Sequence, residues 1–178
     1  MVEPRYTYGD YARLPEGAPY QLIDGFLVKH PSPTPYHQRL SARLEHMLWD
    51  YVNDRHCGEV LNAPLDVYLA EDQTFQPDII YISNERQHIV GAKKIEGAPD
   101  LVMEILSPST ARYDVHEKKR AYEAAGVREY WIIDPERRRV EIFLLSHGRF
   151  IRHADVVGEG FAGSFILTGF EVDLGKTF

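Results

Sequence analysis

Two carboxylates and a lysine stand out from the rest of the chain. Asp78 opens the run Asp78-Ile79-Ile80-Tyr81-Ile82, Glu104 lies within Leu101-Val102-Met103-Glu104-Ile105-Leu106, and Lys118 follows fourteen residues later. Both acids sit in short apolar, β-branched segments that read as buried strands. A carboxylate in such a place is costly unless it is paired, protonated or bound to a metal ion. Hard divalent cations such as Mg²⁺ and Mn²⁺ take oxygen ligands, often one or two carboxylates with water retained. The pattern therefore points to Mg²⁺ (or Mn²⁺) held between neighbouring strands by Asp78 and Glu104, with the Ile105 carbonyl as a further ligand. The competing reading of Glu104 is a buried carboxylate paired with an Arg or Lys.

Lys118 belongs with these acids if a helix carries it. Asp114, Lys118 and Tyr122 are spaced i, i+4 and i+8, so they share one helical face. A lysine aimed at the metal would assist the attacking water or stabilise charge developing on a phosphate. The alternative is a plain Asp114–Lys118 surface pair. Lys119 would take the same role if the helix were rotated by one residue. His37, near the start of an earlier helix, is a candidate contact to phosphate or ligand, although a lone histidine is more often a cap or surface group.

These residues need a sheet with helices on it. A helix is predicted over 36–53, where Leu40, Leu44, Met47, Leu48 and Tyr51 fall on one face. Strands are predicted over 59–61, 65–69, 78–82 and 101–106. In the last, Val102, Glu104 and Leu106 share one face and Leu101, Met103 and Ile105 the other, as in a strand buried on both sides. A second helix over 111–125, stopped by Gly126, would cross over to a parallel strand over 129–133. Further strands are expected over 139–145, 165–167 and 170–172. Upstream, Asp24-Gly25 marks a hairpin turn, and Pro31, Pro33 and Pro35 break regular structure before the first helix. The whole reads as one mixed α/β domain over 1–178, with 1–35 as an N-terminal hairpin extension packed on the core.

Composition narrows the function classes. Hydrophobic residues make up 44% and charged residues 26% of 178, the usual make-up of a globular protein. A lone cysteine, Cys57, excludes an internal disulfide and a thiolate zinc cluster. No signal-peptide pattern or membrane-spanning run is present, so a cytoplasmic protein is expected. The net charge of −7 argues against a broad basic binding surface. Residues 112–153 nevertheless hold ten Lys/Arg against seven Asp/Glu, enough for a local one. No serine-hydrolase elbow or phosphate-binding glycine loop is present.

Taken together, Gln76-Pro77-Asp78, Gly97-Ala98-Pro99-Asp100 leading into Glu104, Ser107-Pro108-Ser109-Thr110, and Gly126-Val127-Arg128-Glu129-Tyr130-Trp131 with Asp134-Pro135 form a distinctive series. The series resembles a bacterial restriction-endonuclease family of the PD-(D/E)XK nuclease superfamily. The likeness extends upstream to Leu22-Ile23-Asp24-Gly25 and to Pro31-Ser32-Pro33 with His37. It implies a restriction-endonuclease-like core, a mixed central sheet flanked by helices, with magnesium on Asp78 and Glu104. Two departures are visible. The superfamily's lysine two residues after the second acid is replaced by Leu106, and Lys118 lies where related sequences move it. Gln21 stands where such sequences often have a glutamate, so an auxiliary acidic ligand is absent.

The resulting expectation is a metal-dependent DNA endonuclease, with a homodimer as the usual means of cutting both strands. The alternative from another class is a nuclease-fold module that binds nucleic acid or a protein partner without cutting. A weaker alternative uses the two carboxylates for glycoside hydrolysis.

Overall fold

The computed structural model describes residues 5–178; the first four residues of the expected N-terminal extension lie outside the described residues. After a short helix α1 (Tyr8–Tyr11), the chain enters a hairpin of β1 (Tyr20–Ile23) and β2 (Phe26–Lys29). Ile23 pairs with Phe26 across a two-residue turn in which Asp24 and Gly25 both have positive φ, 50° and 77°. That is the mirror-image turn whose twist suits a hairpin, and Asp-Gly tolerates it.

Thr34 caps helix α2 (Pro35–Arg55) by accepting a hydrogen bond from the His37 N–H, and Pro35 starts it. Leu40, Leu44, Leu48 and Val52 form its buried stripe. There follow β3 (Gly58–Asn62), β4 (Val67–Ala70), β5 (Gln73–Phe75), β6 (Ile79–Ser83), β7 (Ile95–Glu96) and β8 (Leu101–Ile105). A helical stretch over 111–125 then combines α3 (Ala111–Tyr113), a π-turn (Asp114–Lys118) and α4 (Lys119–Ala125). It ends at Gly126, whose φ of 91° is the left-handed closure expected there. The chain finishes with β9 (Glu129–Asp134), β10 (Arg139–Ser146), β11 (Arg149–Val157), β12 (Phe161–Gly163), β13 (Glu171–Asp173) and α5 (Leu174–Thr177).

The fold is mixed α/β. A six-stranded sheet runs in the order β11-β10-β9-β8-β6-β3, and only β8 and β9 in it are parallel. The helical stretch over 111–125 is the crossover that joins those two strands, as expected. Helix α2 packs on one face, against Leu101, Met103, Ile105, Trp131 and Ile133. On the other face lie Tyr122 and Ala121 of α4, together with a second sheet of order β2-β1-β5-β4-β7. The alternation along β8 follows the expected faces: Val102 belongs to one core, Leu101, Met103 and Ile105 to the other. The hairpin is thus a part of the second sheet, through the pairing of β1 with β5.

Two strand expectations need correction. Residues 165–167 form a turn rather than a strand, because the N–H groups of Phe165 and Ile166 are taken by the buried Glu129 carboxylate. The longest strand, β11, was not predicted. It is the sheet's edge, mostly exposed and at best partly covered along its length, so its residues lack a strong apolar alternation.

Candidate active site

The register brings the two acids together. Ile79 pairs with Met103 across β6 and β8, and extending that register one step sets Asp78 opposite Glu104. Asp78 is 8% exposed and anchored: its Oδ2 accepts the Ile105 N–H at 2.7 Å. Its Oδ1 lies 3.3 Å from His37 Nε2, and the same nitrogen lies 3.2 Å from the Ile105 carbonyl oxygen. His37 reaches this spot because it sits in the first turn of α2, directly after the cap.

Glu104 is buried on the crossover side. Its Oε1 accepts from Lys118 Nζ at 3.0 Å and from the Tyr122 hydroxyl at 2.7 Å. Lys118 also lies 2.9 Å from Asp114 Oδ1. Both Lys118 and Asp114 are 2% exposed. Thr110 donates to Asp114 Oδ2, and the Tyr130 hydroxyl donates to the Asp114 carbonyl. The π-turn matters here. It inserts one residue relative to an α-helix, and Asp114, Lys118 and Tyr122 all face inward from the helical stretch that contains it.

The charges do not balance. Asp78, Glu104 and Asp114 are three buried carboxylates served by one ammonium, Lys118. Burial, and then the charges of Asp114 and Asp78, push the Glu104 carboxyl up to about 8 against the pull of Lys118. Burial lowers Lys118, but Asp114 and Glu104 outweigh it and hold the lysine above its ordinary value. Burial likewise lowers His37, while its contacts with Asp78 and the Ile105 carbonyl more than compensate and raise it.

A divalent cation suits this donor set. Asp78, Glu104 and the Ile105 carbonyl offer hard oxygen atoms, and once Glu104 gives up its proton the excess negative charge is of the size that one such ion cancels. Adjacent ligands around an ion with bonds of about 2.1–2.2 Å stand roughly 3.0–3.1 Å apart. The spacings of His37 Nε2 from Asp78 Oδ1 and from the Ile105 oxygen are close to that. Among the described residues, no three His, Cys, Asp or Glu side chains converge as a ready-made ligand cluster. Glu104 turns toward Lys118 and Tyr122 instead.

A cavity of about 410 Å³ opens over these groups. His30, Tyr36, His37, Ser107 and Glu136 are among its walls, and Leu106 also lines it. Of the residues singled out from sequence, Asp78, Glu104, Ile105, Lys118, His37, Asp114 and Tyr122 are gathered at this place. Lys119 is not: its Nζ lies 3.4 Å from the centre of the Phe143 ring. Gln21 lies one layer behind, hydrogen bonded to His30 at 2.9 Å. His30 was missed by sequence reasoning. It stands alone on a proline-rich turn, and only the tertiary contact to Gln21 gives it significance.

The basic stretch over 112–153 does not form a free cationic surface. Arg139 and Arg152 pair with Asp155 and Glu141, Arg137 with Asp134, Arg120 with Asp24, and Arg128 with Asp100. No helix among the described residues is long and apolar enough to cross a membrane.

Comparison with known proteins places the chain in a family and a fold. An uncharacterized protein of Synechocystis sp. is 28% identical over 141 residues, covering 78% of this chain and 79% of that one. A crystal structure from Anabaena variabilis, described as a "putative nuclease belonging to DUF820", superposes with a TM-score of 0.79 over 97% of each chain at 19% identity, which establishes the shared fold. Residues 8–174 match the family model described as "Uma2: Putative restriction endonuclease". That span takes in both large sheets and every wall of the cavity, and the chain belongs to this restriction-endonuclease family.

Proposed function

We propose that this chain is a divalent-metal-dependent endonuclease that hydrolyses phosphodiester bonds in DNA. The observation that carries the reading is the charge imbalance in the cavity: three buried carboxylates against one buried ammonium, with oxygen donors on two neighbouring strands. Asp78, Glu104 and the Ile105 carbonyl would hold Mg²⁺ or Mn²⁺, with His37 beside them. Such an ion supplies Lewis acidity toward a phosphate oxygen and lowers the pKa of bound water.

The protein's own groups have separable roles. Lys118, held above its ordinary value, stays an ammonium throughout the neutral range. It therefore serves as a donor that stabilises charge on the phosphate or the attacking water, and not as a base. Asp114 keeps that ammonium in place from one side and Glu104 from the other. Tyr122 fixes the Glu104 carboxylate by its 2.7 Å hydrogen bond. Asp78, tied to the Ile105 N–H, orients the Ile105 carbonyl on the same strand end. A second copy of the chain would supply the second active site that double-strand cleavage requires.

The second reading, a binding module of nuclease fold, is favoured by one feature: both hydrogen bonds to Glu104 come from the protein itself. The test is cleavage of plasmid, linear, single-stranded and branched DNA, and of RNA, with Mg²⁺ or Mn²⁺, beside calorimetric metal titration. We expect metal-dependent cutting of DNA, reduced about 100-fold or more in Glu104→Ala and Lys118→Ala, with circular dichroism confirming that the variants fold. Cutting that survives Glu104→Ala overturns the assignment. Absence of both metal binding and cutting selects the binding module.

A further inference from the structure

The roles above leave one buried polar chain unused. Gln21 on β1 is 3% exposed, and its side chain is fixed at both ends. Its Oε1 accepts the Gln76 backbone N–H at 2.9 Å. A backbone N–H can only donate, so the amide has a single workable orientation and its Nε2 faces the other way as a donor. That Nε2 lies 2.9 Å from His30 Nδ1. Nδ1 must then be the acceptor, which leaves the ring's one proton on Nε2. A second proton at Nδ1 would set two donors against each other. The brace continues behind: the Gln76 side chain donates to Asp66 at 2.9 Å, and Tyr11 donates to the same oxygen at 2.8 Å.

His30 lies on the wall of the cavity, its Nδ1 turned to Gln21. The ring lines the same space as Asp78, Glu104, Asp114 and Lys118. Among the described residues its Nε2 has no protein partner, and it is not one of the enclosed unpaired atoms, which leaves it accessible from the cavity side. We propose that His30 is a substrate-contacting residue, a neutral imidazole locked by Gln21 in the Nε2–H form, which donates to a phosphate oxygen of the bound strand. The identity of that ligand rests on the nuclease reading; the locked tautomer does not.

The surroundings agree with a neutral ring. Burial, followed by the charge of Lys118, holds His30 below the ordinary histidine value, and His37 acts in the same sense. Asp78 and Asp114 oppose them and do not prevail. A neutral donor has a chemical advantage in this cavity. A cationic ring would bind phosphate more strongly, but it would also compete with a divalent ion for the same negative charge.

The test reads the tautomer directly. Long-range ¹H–¹⁵N spectra of the full chain, with and without Mg²⁺, distinguish Nε2–H from Nδ1–H rings, and His30→Gln assigns the signal. We expect the Nε2–H pattern at neutral pH in the native chain. In Gln21→Glu, which keeps the acceptor for Gln76 but also accepts from Nδ1–H, we expect a His30 midpoint raised by on the order of one pH unit. An Nδ1–H or doubly protonated ring in the native protein at neutral pH overturns the proposal.

The ligand is tested with a phosphorothioate-linked thymidine dinucleotide in the presence of Mg²⁺. We expect the His30 Nε2 resonance to shift on titration with its tautomer unchanged. His30→Ala should weaken dinucleotide binding roughly tenfold, and His30→Gln, which retains an N–H donor, should recover part of it. Shifts at His37 and Lys118 with none at His30 overturn the substrate contact alone. Silence across the whole site overturns the nuclease reading as well.

Discussion

Glu104 concentrates the physics of this site in one carboxyl group. In the metal-free protein its pKa rises from an ordinary 4.5 to about 8. A group whose folded value exceeds its unfolded value adds stability that is complete below the unfolded pKa and disappears as pH rises through the folded one. The metal-free chain should therefore melt at progressively lower temperature between about pH 5 and about pH 8. His37, also raised, adds to that slope, and His30, lowered, opposes it. The comparison that isolates Glu104 is calorimetry with chelator on the native chain and on Glu104→Gln, which should lose most of the decline; identical slopes would contradict the assignment. Legibility at this scale was uneven. Asp78, Glu104 and Lys118 stand out because acids in β-branched runs and an i, i+4 spacing are local patterns. His30 does not, since its role depends on an amide whose orientation is set by a backbone N–H fifty-five residues away from it in sequence.

The elements were readable where one face is buried and one local rule dominates. Helix α2 begins beside its proline and threonine and buries the expected leucines, and the Asp24-Gly25 turn closes the expected hairpin. Prediction failed where a distant side chain decides. Glu129, fully buried, accepts from Trp131 Nε1 at 2.6 Å and from the N–H groups of Phe165 and Ile166 at 2.9 and 3.0 Å. It bends an apolar triplet that would otherwise pass for a strand. Hydrogen bonds to a charged group contribute about 1.5–3 kcal/mol each, and donors left buried without a partner add a penalty. Glu129→Ala should accordingly destabilise the fold by about 3 kcal/mol or more. Urea unfolding checks this; a loss below about 1 kcal/mol would show that the carboxylate is not what holds the turn. Metal affinity should be unaffected, because Glu129 lies at the other end of β9 from the cavity.

At the scale of the molecule, the central sheet presents two carboxylate-bearing strand ends from one side, and the crossover brings the ammonium in from the other. Most of the arginines that make residues 112–153 look basic are bound to carboxylates of the same chain, so that stretch offers few free cations to a phosphate backbone. On the nuclease reading, recognition would then fall to the cavity, where the second sheet braces His30 through Gln21. Leu106 follows Glu104 by two residues, on the same side of the chain, and lines the cavity that Lys118 borders. The same positive charge thus has two postal addresses in this architecture, one on the strand and one on the crossover helix. A charge moved from one place to the other would reach the same cavity. Leu106→Lys combined with Lys118→Met should accordingly cut DNA better than Lys118→Met alone, and equal loss in the two variants would contradict this.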